Sequence, residues 1–210
     1  MEFSELLPRR RMVRHYRSEP VPRDVVERVV ATVRRAPSGG YSQGQRLLVV
    51  TSDAGRAQIV RIWSEAGWGG SPNDEEPWLE SAPVHVLVLT REEDYHERYR
   101  LPDKLDDGEE IDWPVPYWFV DAGASLMLLL LAAVDEGLAA GVSGVPRPAA
   151  ADLRVAFGIP EDVTPVALVT IGMPAPDPRW SAVTSRRTQA RRPLEEVVRW
   201  ETWAAREEVA

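Results

Sequence analysis

The stretch "VDAGASLMLLLLAAVDEGLAAG", Val120 to Gly141, is the one on which the fold turns. From Leu126 to Val134 every position is apolar. The segment therefore predicts a helix with no polar face, buried on every side inside a core or against a partner subunit. That unbroken run is far short of the roughly 20 residues that span a bilayer. The amino terminus, "MEFSELLPRRRM", lacks the apolar segment of a signal peptide. A cytoplasmic protein without membrane contact is expected.

Moving outward, "EPVPRDVVERVVATVRRAPS" (Glu19 to Ser38) places Val25, Val26, Val29, Val30 and Val33 on one helical face. Pro20 and Pro22 precede that helix, Asp24 lies in its first turn, and Pro37 stops it. "RLLVVTS" (Arg46–Ser52) reads as a buried strand and "DAGRAQIVRIWSEAG" (Asp53–Gly67) as an amphipathic helix. "APVHVLVLT" (Ala82–Thr90) is a second strand, "RPAAADLRVAFGI" (Arg147–Ile159) a helix, and "VTPVALVTIGMP" (Val163–Pro174) a strand. The tail from Ser185 ends in an amphipathic helix. Helices and strands alternate loosely without repeat or linker, so 1–210 reads as a single domain of α/β or α+β class.

Between Arg91 and Asp112 stand ten carboxylates against four basic residues. This excursion, taken as 91–116, is expected to be solvated, mobile or lid-like. Aromatic clusters flank it: Trp63, Trp68 and Trp78 before, and Trp113, Tyr117, Trp118 and Phe119 after.

Composition removes several kinds of chemistry. A chain of 210 residues with a net charge of −8 is not a dedicated nucleic-acid binder. With no cysteine there is no thiolate nucleophile, and three scattered histidines, His15, His85 and His96, show no metal-ligand spacing. His85, inside a strand, reads as a satisfied core residue. No G-x-x-x-x-G-K-[ST] or G-x-S-x-G is present. The glycine-rich stretch follows a helix and precedes a strand, the reverse of a dinucleotide fingerprint.

Two features remain. "RRRMVRHY" (Arg9–Tyr16) gathers Arg10, Arg11 and Arg14, and a second group holds Arg186, Arg187, Arg191 and Arg192. Guanidinium forks match phosphate oxygens bidentately and stay charged. Converging on one site, the two groups would suit a phosphomonoester; apart, they are solvated surface charge. "RRAPSGGYSQGQ" (Arg34–Gln45) is long and polar for a helix exit. It offers backbone N–H groups, hydroxyls and a carboxamide that suit a planar heteroaromatic edge, or it is a capped exit with a turn.

The succession of "RRRMVRHY", "EPVPRDVVERVV", "APSGGYSQGQ", "DAGASLMLLLLAAVDEGLAAGVSGVP", "FGIPEDVTPVALVTIGMP" and "RRPLEEVV" resembles the FMN-dependent nitroreductase family over nearly the whole chain. The resemblance implies an α+β fold: a mixed β-sheet flanked by helices, in an intertwined homodimer. Two FMN sites would lie at its interface, and the C-terminal extension, 181–210, would embrace the partner. It further implies that Arg10, Arg11 and Arg14 contact the FMN phosphate and ring. Pro37, Ser38, Gly39, Tyr41 and Gln43 would lie on the flavin. Ser143 and Gly144 would present backbone N–H near flavin N5, and Arg191 with Arg192 would reach the phosphate. Tyr117, Trp118 and Phe119 would roof the ring and shape a substrate pocket, or else belong to ordinary packing. The implied activity is a two-half-reaction oxidoreductase. NAD(P)H would deliver hydride to the flavin, and a small aromatic acceptor, a nitroaromatic or quinone, would then be reduced. Another reaction on the same fold, desaturation or flavin-dependent fragmentation, and non-catalytic flavin sequestration are the alternatives. Three departures from the family pattern stand out: Met12 in place of Ser or Thr, Tyr41 in place of Asn, and Gly44-Gln45 in place of Pro-Trp.

Overall fold

The computed structural model describes residues 1–68, 78–176 and 190–203. Its helices are α1 (Phe3–Arg9), α2 (Arg23–Ala31), α3 (Asp53–Glu65), α4 (Trp78–Ser81), α5 (Glu93–Tyr99), α6 (Tyr117–Asp135), α7 (Ala149–Phe157) and α8 (Leu194–Val197). The strands are β1 (Gln45–Val50), β2 (Val84–Arg91), β3 (Ala139–Gly144) and β4 (Val163–Gly172), ordered β1-β2-β4-β3. All their pairings are antiparallel. Among the described residues the parallel contribution is one isolated bridge, Met12 with Ala140.

The period of two in the central strand β2 makes the layers. Val84, Val86 and Val88 pack with Val26 and Val29 of α2 and Ala122, Leu129, Leu130 and Ala133 of α6. Leu87 and Leu89 face the other way, toward Ile59, Ile62 and Trp63 of α3 and Leu153 of α7. Helices thus cover both faces of the sheet. The α6 leucines Leu129 and Leu130 lose essentially all their exposure, a gain of about 1.5–3 kcal/mol each.

Three expectations change. The first strand is only partly buried: β1 is an outer strand, half-buried at Gln45, Leu47 and Leu48, exposed at Arg46 and Val49, and buried at Val50 alone. Nor is α6 buried all round within the chain. Phe119, Val120, Gly123 and Met127 are exposed on one side while the opposite side fills the core. By length and composition α6 would suffice to cross a membrane, yet its buried side packs on β2, β3 and β4 of its own chain. Finally, the acidic excursion is organised. It contains α5, whose Tyr95 is fully buried, and its carboxylates are largely paired. Arg91 reaches Asp94, Glu97 and Asp162, Arg98 reaches Asp103, and Arg100 reaches Glu93 and Glu110. The Arg98 guanidinium holds the Asp103 carboxyl down at about 2.

Of the expected C-terminal extension, 181–189 and 204–210, with Arg186 and Arg187, lie outside the described residues.

Candidate cofactor-binding site

The arginine segment meets the sheet at two isolated bridges. Met12 lies opposite Ala140 on the free edge of β3, where Val13 N–H donates to the Ala140 carbonyl at 2.9 Å, and Tyr16 lies opposite Pro174, just past the end of β4. Val13 and Tyr16 are its buried anchors. The Tyr16 hydroxyl donates to the Val13 carbonyl at 2.6 Å and lies 2.8 Å from Thr170 Oγ1. Burial raises the Tyr16 pKa, so it stays a donor. Arg11 and Arg14 project outward. The Arg14 guanidinium lies 5.2 Å from the centre of the Trp78 ring, a stacking contact that orients it. Arg10 is half-buried, and its Nη1 is enclosed without a hydrogen-bond acceptor. A buried guanidinium nitrogen without an acceptor is costly. An anion would satisfy it.

Ser143 and Gly144 close the same strand, β3. The Ser143 hydroxyl accepts from Trp63 Nε1 at 2.9 Å and is committed to the interior, so this pair has backbone alone to offer. A Cβ added at Gly144 would meet nothing within 4 Å.

The loop Pro37–Gln43 lies elsewhere. Gly40, Tyr41 and Gln43 adopt left-handed φ values of 57°, 63° and 54°, which for the two non-glycine residues requires outside support. That support comes from α5 and α6. Gly39 N–H donates to Asp121 Oδ2 at 2.9 Å, the Tyr95 hydroxyl donates to the same oxygen at 2.7 Å, and Arg98 Nε donates to the Gly40 carbonyl at 2.9 Å. Arg46 Nη1 donates to the Gln43 carbonyl at 2.7 Å. Ser38 Oγ accepts from Gln43 N–H at 3.0 Å, and Ser42 Oγ donates to the Gly39 carbonyl at 2.6 Å. Much of the loop's hydroxyl capacity is thus spent on its own shape. Pro37, Tyr41 and Gln43 are exposed, and the Tyr41 ring stands out into solvent.

Tyr117 packs beside Gly39, and both it and Phe119 are exposed. Trp118 departs from the expected roof: it is buried against Tyr95, His96 and Trp113. Trp113 is the hub of that cluster, edge-on to Tyr95, Tyr99, Tyr117 and Trp118, with its indole N–H donating to Glu110 at 2.8 Å.

The sheet separates the two halves. Gln45, where the loop enters β1, is level with Thr90 and Thr164, whereas the Met12–Ala140 bridge is level with Ile171 and Val84. Six residue steps along β2, from Val84 to Thr90, separate those levels by about 20 Å, and β1 and β3 are opposite outer strands. The arginine segment and the loop therefore occupy diagonal corners of one chain. Arg191 and Arg192 are exposed, with no side-chain partner among the described residues. The expected convergence of the two arginine groups does not occur within the described residues of a single chain.

Sequence reasoning missed the loop's supports, Asp121, Tyr95, Arg98 and Tyr99. The signal for the first was available, a lone carboxylate at the start of an apolar helix. His85 is only half satisfied: Nε2 meets the Leu79 carbonyl at 2.8 Å while buried Nδ1 has no partner. No group of three or more His, Cys, Asp or Glu able to hold a metal ion occurs among the described residues.

The sequence profile described as "Nitroreductase family" matches residues 7–173. An iodotyrosine deiodinase from Nematostella vectensis is 26% identical, over 94% of this chain and 74% of the relative. An FMN reductase [NAD(P)H] from Bacillus subtilis is 30% identical, over 83% and 66%. In structure, a nitroreductase family protein from Clostridium difficile 630 superposes with a TM-score of 0.66 at 24% identity, covering 96% of this chain and 99% of the other. That last likeness speaks to the fold.

Proposed function

The chain belongs to the nitroreductase family, whose members are oxidoreductases, and from that premise we propose that it binds FMN and uses NAD(P)H to reduce a small aromatic acceptor of nitroaromatic or quinone type. The observation that carries the reading is the enclosed, acceptorless Nη1 of Arg10, on the same segment as Arg14. The donor set fits FMN. Arg10, Arg11 and Arg14 supply cations for a phosphate, and Arg191 and Arg192 are exposed cations at the other end of the sequence, without a side-chain partner among the described residues. Gly39 and Gly40 allow the loop backbone to approach a planar ring closely.

Bound FMN would supply the hydride chemistry, accepting from the nicotinamide and giving to the acceptor. The chain's task is binding and orientation. The arginine segment holds the anion through charge-assisted bonds. Tyr41, Tyr117 and Phe119 present exposed aromatic surface at the loop end, against which a planar substrate stacks. No side-chain nucleophile is needed.

Two copies complete the site on this reading. The arginine corner and the loop corner are too far apart to enclose one cofactor within a chain, and the exposed side of α6, with Phe119, Val120, Gly123 and Met127, offers an apolar surface for a second copy. The assembly is then a homodimer, without nucleic-acid or membrane partners and cytoplasmic, with the C-terminal extension, 181–210, embracing the partner.

The test is anaerobic addition of NADPH or NADH to the FMN-loaded protein. The oxidised flavin band should bleach and return when a nitroaromatic or quinone is added. Failure of both nicotinamides would favour a second reading, reductive dehalogenation of an aromatic, which the likeness to iodotyrosine deiodinases supports. Iodide release from iodotyrosine with a chemical reductant would then be the decisive assay.

A further inference from the structure

Asp121 is a charged residue placed where the fold does not need a charge. It lies in the first turns of the apolar helix α6, is only 7% exposed, and makes no ion pair within the described residues. Burying a carboxylate without a cation is unfavourable unless hydrogen bonds compensate. Two do, and both reach the loop's surroundings: one oxygen takes the Gly39 N–H and the Tyr95 hydroxyl together. Burial, then the Asp121 contact itself, raises the Tyr95 pKa, so the phenol remains a donor throughout the working range.

The same two helices hold the rest of the loop. Tyr95 lies against Gly44, Tyr99 lies against Gly40, and Arg98 takes the Gly40 carbonyl. A side chain at Gly40 or Gly44 would collide with those tyrosine rings. Tyr41 and Gln43 hold left-handed backbone conformations between these points. Such conformations persist only where surrounding contacts over-determine them. Asp121 is the point at which α5, α6 and the loop are tied by one atom.

We infer that Asp121, accepting from the Tyr95 hydroxyl as well as from the Gly39 N–H, is a positioning residue that holds Ser38–Gln43 in the shape that receives the flavin edge. The inference rests on the FMN reading for its last step alone; the tie between helix and loop is independent of it. Asp121 does not touch the cofactor in this account. It acts through the Gly39 amide and the strained backbone that follows.

The test uses the full chain and three variants, Asp121→Ala, Asp121→Asn and Tyr95→Phe, with two readouts. Hydrogen exchange on the flavin-free protein reports the tie. In Asp121→Ala, exchange in peptides covering residues 38–44 should rise at least about tenfold while β4 peptides keep their protection. Asp121→Asn, whose carboxamide oxygen can take both bonds, should stay within about threefold of wild type, and Tyr95→Phe should fall between. FMN quenching titration reports the function: Asp121→Ala should bind at least about tenfold more weakly and Asp121→Asn should recover most of the loss. Unchanged loop protection in Asp121→Ala overturns the tie. Equal loss of β4 protection in the Ala and Asn variants shows a core role and also overturns it. A loosened loop with unaltered FMN affinity refutes positioning. Wild-type protein that binds no FMN sinks the functional reading, while the exchange data still decide the tie.

Discussion

Replacing Gly141 with alanine should detach the arginine segment from the sheet. A Cβ at Gly141 would fall inside van der Waals contact of the Val13 carbonyl oxygen, with the Tyr16 hydroxyl at 3.1 Å and Thr170 Oγ1 at 3.2 Å. The first of these is backbone and cannot rotate away. Overpacking of this kind costs about 1–3 kcal/mol. Displacing Val13 also breaks its bond to the Ala140 carbonyl and the Tyr16–Val13 bond, each worth about 1 kcal/mol. The sum is about 3–5 kcal/mol, a large share of the roughly 5–15 kcal/mol that holds a typical domain. For a chain of this size it lowers Tm by about 10 °C. Urea unfolding of flavin-free protein gives the number directly, and Gly144→Ala, at the end of the same strand in open space, is the control, expected within about 0.5 kcal/mol of wild type. Because Arg10 and Arg14 ride on the displaced segment, FMN affinity should fall as well. A Gly141→Ala protein no less stable than Gly144→Ala would refute the claim that this segment is fixed by close packing on β3.

Other perturbations act on separate parts. Arg14→Ala and Arg191→Ala should each weaken FMN binding by about 1.5–3 kcal/mol, the scale of a charged hydrogen bond; unchanged titration curves for both would reject the phosphate assignment. Burial holds His85 neutral, its pKa brought down to about 4 from 6.5. The unfolded chain takes up that proton first, so stability present above pH 6.5 is lost as pH falls toward 4, by at most about 3 kcal/mol. Urea midpoints from pH 7.5 to 4.5 should show this acid limb, and His85→Gln should flatten it. His96 has the opposite sign: burial opposes its charge, but Glu110 and Glu92 outweigh that and raise its pKa, so its contribution is full below pH 6.5 and fades as pH rises above it. Trp113→Ala should cost about 3 kcal/mol in urea unfolding, because one ring supports five aromatic neighbours.

The elements that were legible in the sequence are those whose own side chains specify them. The valines of α2, the alternating β2, the apolar α6 and β4 all carry the period of the structure they form. β3 went unread because Ala139–Gly144, "AAGVSG", has little strand propensity of its own. It is a strand because β4 pairs along the whole of one edge, with the arginine segment adding a single bridge at Ala140 on the other. Its small residues are what allow that close approach, as Gly141 shows. α5 was hidden by its charges: Tyr95 and Tyr99 mark a buried face at i, i+4, but the carboxylates around them read as a solvated loop until their arginine partners are seen. The site residues could be named by type from the sequence, since arginines and a glycine-rich loop suit a phosphate and a ring. Their separation onto diagonal corners of the sheet could not, because strand order is a property of long-range pairing. Asp121 lay in plain view, yet its partners, the Gly39 amide and Tyr95, are distant in sequence and become neighbours only on folding.

The arginine segment is proposed to select the phosphate, and comparing FMN with riboflavin tests that most directly. Dissociation constants from fluorescence quenching, at one fixed salt concentration, should favour FMN at least about 100-fold, as two charged contacts to the phosphate require. Equal affinities for the two flavins, or binding of neither, would contradict the account.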